Sequence, residues 1–380
     1  MDRQPLLICE WTDPVTSAKG YFVIDTLIGG LCAGGIRMRP GVDLEEVKKL
    51  ARTMTYKLAA IGSPFGGGKG GINYDPLVPS SGEVLKRFLD VHKAFVVDNW
   101  VTNEDLGTKE EDIIRILGEL GVPTPFQAAV RKASDPAKVM NNVRKLGELR
   151  VDGLRMSDAI TGFGVAEATL EAVQILGMPD RGTRVAIQGF GSVGGSAAKF
   201  LNRAGLNIVA IADAEGTIYS PDGLDVESLL TRRDRWGVVG RAGLPKNYAL
   251  MSREDWLSLD VQVLIPAATA DAITEANVAG IKARLIVEGA NIPTTPGTES
   301  LLSEQGIVVI PDFVANAGAV GLATSILIDR VVPEVDECLA YISSQLRSTV
   351  RQTLDLCKSE RITPRQAAVR IAEDKSRASV

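Results

Sequence analysis

The sequence predicts an α/β protein of two domains, and three observations carry that prediction. The chain has 380 residues, room for two hydrophobic cores. In its first half, residues 43–75 join an amphipathic helical pattern to a run of glycines around a lysine. In its second half, an apolar run leads into Gly189-Phe190-Gly191-Ser192-Val193-Gly194 and then a second helical pattern. Strand-like and helix-like periods alternate through both halves, as an α/β chain requires.

Composition removes several classes of function. Hydrophobic residues make up 45% and charged residues 23% of the chain, the balance of an ordinary globular protein. The net charge is −5, and lysines and arginines are scattered, with no basic stripe interleaved with aromatics. A nucleic-acid partner is therefore not expected. Cys9, Cys32, Cys338 and Cys357 show no CxxC or CxxH spacing. They suit a reducing cytoplasm better than a disulfide framework or a zinc site, and no metal is expected. The first apolar run is too short for a signal peptide and no 18-residue apolar segment follows, so no membrane partner is expected either. The single histidine, His92, sits in a helical pattern over 82–97 and reads as a packed helix residue.

Residues 6–38 read as short strands with a turn near 14–20. Ala33-Gly34-Gly35 ends one of them, and its glycine pair suggests a close approach of backbone to a ligand. Leu44, Val47, Leu50, Met54, Leu58 and Ile61 then mark one face of a helix, with Asp43 placed to cap it. Lys57 shares that stripe. It either snorkels to the surface or faces an internal cleft and meets an anion. After Pro64 come five glycines around Lys69, over 66–71. This reads as a glycine loop that lets a ligand approach the ammonium, and a lysine so confined can lose its proton more easily. A phosphate-binding Walker loop fails, because Ser63 stands at the first glycine and Gly70 where Ser or Thr should follow the lysine. Together these features suggest a two-lysine site. Asp105, in a turn after a short strand at 100–102, is either turn chemistry or a group at the catalytic end of an α/β layout.

Residues 120–155 read as an inter-domain connection containing a basic helix around 139–149. A long helix is expected to begin at Thr161 and end near Gly177. The strand 184–188, the glycine motif, a helix, and the strand 208–212 ending at Asp213 form a dinucleotide-binding unit of Rossmann type. Asp213 lies 24 positions after Gly189, near the roughly 20 expected of a residue that reads the adenosine ribose. It would accept the ribose hydroxyls and repel a 2′-phosphate, so NAD is expected over NADP. Loops at 266–269, 288–293 and 314–318 leave strand ends on the ligand side, which puts Ala268, Asn291 and Asn316 toward the cofactor. From about 320 the chain reads as helical to its end.

With these residues in view, the chain resembles the glutamate/leucine/phenylalanine/valine dehydrogenase family. The likeness runs over about 20–120 and 155–375 and is weak through 121–155. It rests on MTYKLAAIGSPFGGGKGGINYDP, TNEDLGT, GFGSVG, EGANIPTTP and PDFVANAGAVG. The resemblance implies NAD(P)-dependent oxidative deamination of an L-amino acid. Lys57 would bind the substrate α-carboxylate. Lys69, with a lowered pKa, would polarise the carbonyl and activate water, and Asp105 would shuttle protons. Thr161 would join the glycine motif at the cofactor. The fold implied is an N-terminal α/β substrate and oligomerisation domain, 1–150 plus about 330–380, and a Rossmann domain, 151–330, separated by a cleft. A homo-oligomer is also implied.

Substrate choice departs from the glutamate branch. There a lysine typically precedes the double glycine, and a serine after the NAG motif helps to hold the side-chain carboxylate. Here Ala33 and Ala323 stand at those positions beside Gly34. Neither can bind a carboxylate, so the resemblance implies an apolar or aromatic substrate. EGANIPTTP is of the glutamate-branch kind, which keeps a glutamate dehydrogenase open. A catalytically silent dinucleotide-binding regulator is the remaining alternative, and the presence of Lys57, Lys69 and Asp105 together speaks against it.

Overall fold

The structure, a computed structural model, describes residues 4–378. The chain divides into two compact units. One comprises Met1–Lys145, Ala323–Val332 and Ala372–Val380; the other comprises Leu146–Leu322 and Pro333–Ile371. Most of 330–380, expected with the first domain, thus groups with the second.

The first unit holds a six-stranded sheet of β1 (Leu7–Thr12), β2 (Lys19–Ile24), β3 (Cys32–Ala33), β4 (Ile36–Met38), β5 (Gly66–Asn73) and β6 (Trp100–Val101). The order is β1-β2-β5-β3-β6, with β4 also against β5. β1, β2 and β5 pair antiparallel, while β3 and β4 run parallel to β5 and β6 parallel to β3. Helix α1 (Leu44–Ala60) starts as expected, its first turn capped by the Asp43 carboxylate, which accepts from the Glu46 N–H at 2.8 Å. Successive residues of β2 serve opposite faces. Val23 joins Val42, Val47 and Ala51 on the α1 side. Phe22 joins a larger core with Trp100 and residues of α2 (Ser81–Val91) and α4 (Glu110–Glu119). Between these two helices lies α3 (Lys93–Asp98). His92 breaks the expected helix 82–97 and is buried, its Nδ1 2.8 Å from the Phe88 carbonyl. Helices α5 (Gln127–Lys132) and α6 (Pro136–Glu148) occupy the stretch that the sequence left least legible.

The glycine run is not a loop. Gly66–Asn73 is strand β5, hydrogen-bonded on both sides and buried almost throughout. A Cβ on Gly67 would overlap the Ala51 carbonyl and Thr55 of α1, and one on Gly71 would overlap Val47. The glycines let a helix lie directly on a strand. The buried residues of α1 are accordingly Val47, Ala51, Thr55, Leu58, Ala59 and Ala60, and its expected apolar stripe is rotated. Leu50, Met54 and Lys57 lie half-buried on its flank. Buried Asp25 pins the helix, accepting from Arg52 Nε at 2.5 Å and Thr55 Oγ1 at 2.6 Å.

The second unit opens with a small hairpin, β7 (Arg150–Val151) and β8 (Leu154–Arg155), and helix α7 (Met156–Ile175). This helix begins five residues before the expected start, so Thr161 lies in its second turn. Then follow β9 (Arg184–Gln188), α8 (Ser192–Arg203), β10 (Asn207–Asp213), β11 (Gly216–Tyr219), α9 (Val226–Arg232) and β12 (Ala249–Met251). β13 (Val263–Pro266), β14 (Leu285–Val287) and β15 (Val308–Ile310) complete a seven-stranded sheet ordered β12-β11-β10-β9-β13-β14-β15. β10, β9, β13, β14 and β15 are parallel; β11 and β12 are an antiparallel edge. The chain leaves β9 toward β10 on one side and returns to β13 on the other. Strand order therefore reverses at the carboxyl end of β9, where open α/β sheets bind ligands. Helices α10 (Pro296–Glu304), α11 (Asp312–Ala315), α12 (Gly318–Leu327), α13 (Val335–Glu360) and α14 (Pro364–Ala378) follow. α13 packs on α7, and Arg347 and Arg351 of α13 pair with Glu167 and Glu171. No helix among the described residues is long and apolar enough to cross a membrane.

Candidate active site

Lys69 sits in the middle of β5, between Val23 of β2 and the β4 edge, and is 7% exposed. Its ammonium forms an ion pair with the Asp105 carboxylate. Local bonds hold Asp105 in its turn. Its N–H donates to Thr108 Oγ1 at 3.0 Å, and its Oδ1 accepts from the Leu106 N–H at 2.6 Å. Thr108 in turn donates to the Ile36 carbonyl at 2.8 Å, which ties the turn to β4. Gly107 allows this with a φ of +83°, and a Cβ there would overlap the Met38 carbonyl.

Arg37 of β4 also faces Asp105, with Nη2 3.4 Å from Oδ1, and its Nη1 donates to Glu46 at 2.9 Å. Burial on its own raises the Asp105 carboxyl, but Lys69 and Arg37 beside it outweigh that and hold it at about 2. Asp105 is thus a carboxylate at neutral pH, facing two cations. Arg37 was not singled out from the sequence; the available signal was a charged residue between two buried apolar ones, Ile36 and Met38.

Lys57 lies half-buried in the last turn of α1, on the same flank as Met54. Met54 reaches the Gly34 backbone, its Cγ 3.3 Å from where a Cβ on Gly34 would stand. Gly34 and Gly35 are close-packed for a reason other than the one expected. A Cβ on either would overlap backbone, the Gly68 carbonyl in one case and the Glu104 carbonyl in the other. The glycine pair lets β3 and β4 pass between β5 and the 101–104 segment. Ala33 is buried in β3 and Ala323 half-buried in α12, each presenting only a methyl group. The hydroxyl following Ala323, on Thr324, accepts from Ser63 Oγ at 2.9 Å in a buried pair.

The glycine motif of the second unit has the geometry of a phosphate cradle. Gly189 turns the chain at a φ of +90°, and a Cβ on Gly194 would overlap the Gly189 carbonyl. A Cβ on Gly191 would meet nothing within 4 Å. Gly191 caps α8, whose first turn receives no side-chain cap. Phe190 is buried beneath the turn, while Ser192 and Val193 reach its surface. N–H groups at such a helix start favour an anion. Ala268 borders the turn, its Cβ 2.9 Å from the Gly189 Cβ position. Asn316 donates to Gly289 O, Ala290 O and Asn291 Oδ1, while its own buried Oδ1 has no partner among the described residues. That orphaned acceptor fits an amide donor such as a nicotinamide carboxamide. Asp213 differs from expectation: its carboxylate is taken up by Arg241 and by backbone N–H groups, leaving no free oxygen for a ribose.

The chain is similar to known proteins over most of its length. The family described as glutamate/leucine/phenylalanine/valine dehydrogenase matches residues 153–378, and its dimerisation domain matches 9–121. The glutamate dehydrogenase of Thermotoga maritima is 36% identical over 306 residues, covering 79% of this chain and 70% of that one. The NAD-specific glutamate dehydrogenase of Staphylococcus aureus is 38% identical over 331 residues, covering 84% and 76%. Among solved structures, the hetero-hexameric glutamate dehydrogenase of Thermus thermophilus in its Leu-bound form superposes with a TM-score of 0.76. It is 25% identical, with 99% of this chain and 89% of that one covered.

Proposed function

The chain belongs to the glutamate/leucine/phenylalanine/valine dehydrogenase family, and we propose that it oxidatively deaminates an L-amino acid with NAD. The substrate in its ammonium form, NAD⁺ and water give a 2-oxo acid, ammonium, NADH and a proton. The observation that carries this reading is the buried Lys69–Asp105 pair with Arg37 behind it. Asp105, ionised, takes a proton from the substrate ammonium and frees the nitrogen lone pair. Bound NAD supplies the hydride acceptor for the α-carbon. Lys69 then stabilises the charge that develops as water adds to the imine, and Asp105 returns its proton to the departing nitrogen. Lys57 is assigned the α-carboxylate, and Arg37 positions Asp105 and keeps it ionised. The α8 N-terminus with Gly191, the 268 loop and the free Asn316 Oδ1 are assigned to NAD, a use in keeping with the NAD-specific relative.

The side chain we assign to the substrate is apolar or aromatic, because Ala33 and Ala323 offer no cation or hydroxyl. Leaving a carboxylate without partners in a dry pocket costs several kcal/mol, about 2–7 for even a neutral polar group. A glutamate substrate is the second reading, favoured by the names of the Thermotoga and Staphylococcus relatives. A homo-oligomer built through the first unit accords with the dimerisation domain matched there. The test is Lys69→Ala. Turnover should fall by about 10²–10⁴, the share of positioned acid–base groups, while NADH binding followed by fluorescence persists. Turnover at the wild-type rate would remove Lys69 from the mechanism.

A further inference from the structure

We infer that Arg241, by neutralising Asp213, makes the chain accept NADP as well as NAD; this rests on the dinucleotide use proposed above. A carboxylate at the end of the second parallel strand selects NAD in two ways. It accepts the ribose hydroxyls, and its charge repels a 2′-phosphate. Both need free oxygens and an unbalanced charge, and Asp213 has neither. Its Oδ1 accepts from the Glu215 N–H at 2.9 Å and Arg241 Nη2 at 2.7 Å. Its Oδ2 accepts from the Val239 N–H at 2.9 Å and Arg241 Nη1 at 2.6 Å. The side chain is 3% exposed, and four donors fill its acceptor sites. The pair is bidentate, the strongest common arrangement of these two groups. Arg241 is fixed in turn by donating to the carbonyls of Val239 and Gly216.

Arg241 ends a strap, residues 233–241, that runs from the glycine turn to the Asp213 carboxylate. At its other end, Arg233 Nη1 donates to the carbonyls of Phe190 and Gly191 at 2.9 and 2.8 Å. Between them Asp234 closes a turn by accepting from the N–H groups of Trp236 and Val238. Gly237 in that turn lies against the motif, a Cβ there falling 2.6 Å from the Gly191 nitrogen. The strap itself thus carries Arg233, Arg235 and Arg241 against Asp234, and the exposed Glu215 follows Asp213 by two residues. Asp213 and Asp234 are both committed to internal bonds. A 2′-phosphate here meets balanced charge in place of a lone carboxylate.

The experiment is titration of the full-length protein with NADH and with NADPH, read by nicotinamide fluorescence, for the wild type, Arg241→Met and Asp213→Asn. The wild type should bind the two with dissociation constants within about tenfold of one another, since no unpaired carboxylate discriminates. Arg241→Met, which frees the carboxylate, should weaken NADPH relative to NADH by about tenfold or more. Asp213→Asn should keep NADH binding within about threefold, because the carboxylate makes no ribose bond, and it covers the case in which Arg241→Met does not fold. A wild type that binds NADH but excludes NADPH, or an Asp213→Asn that loses NADH, overturns the inference alone. Binding of neither nucleotide overturns the dinucleotide reading beneath it as well.

Discussion

Two residues carry the proposed choice between a glutamate and an apolar side chain. Ala33 is buried in β3 next to the glycine pair, and Ala323 is half-buried in α12. Ala33→Lys should raise activity on glutamate relative to apolar amino acids by at least about tenfold, since a charge-assisted bond is worth about 1.5–3 kcal/mol. An unchanged preference counts against the assigned pocket. A second residue-scale effect concerns Glu288, buried at the end of β14 beside Arg365, Asp312 and Glu299. Burial drives its carboxyl up, and although Arg365 pulls it down and Asp312 pushes it up again, the net is a rise to about 8. The folded protein then keeps a proton that the unfolded chain releases above about 4.5. By linkage this contribution to stability is present at low pH and lost as pH rises through about 8. Urea unfolding at pH 5.5 and 8.5 should show a smaller decline for Glu288→Gln than for the wild type. Equal declines would mean that Glu288 titrates normally.

Among the elements, β5 shows where sequence reading stops. Its glycines were legible as a place of close approach, but the approaching object is helix α1 in place of a ligand. Nothing in the period of Gly66–Gly71 marks a strand, since glycine carries no side chain to alternate. The complementary signal was the pair Ala51 and Thr55, small residues spaced to face the glycines, whereas apolar counting chose Leu50 and Met54. Gly67→Ala should destabilise by about 1–3 kcal/mol, the usual range for forcing extra volume into a packed core, because its Cβ overlaps helix backbone. Guanidinium unfolding measures it, and a loss under about 0.5 kcal/mol would contradict the close packing. The strands β9, β10, β13, β14 and β15 were legible as strands, though not in their exact bounds, because parallel strands buried on both faces read as continuous apolar runs. β11 and the edge strand β12 were not, being short, with β12 partly exposed.

At the scale of the molecule, the two-part α/β organisation and the nucleotide motif could be read from local spacing. The Lys69–Asp105 contact could not, because it joins residues 36 positions apart through the register of β5 and the 105–108 turn. Arg241 was likewise invisible, reaching Asp213 from 28 positions away in a segment without periodicity. The same limit applies to residues 333–371, whose helix α13 packs on α7 through Glu167 and Glu171. NADH formation from NAD with each of the twenty L-amino acids is the measurement that separates an amino acid dehydrogenase with an apolar pocket from the other readings. Turnover is expected with one or more of Leu, Val, Phe and Trp and none with Glu. Turnover with Glu alone would contradict the pocket, and turnover with none of the twenty would contradict the assigned reaction.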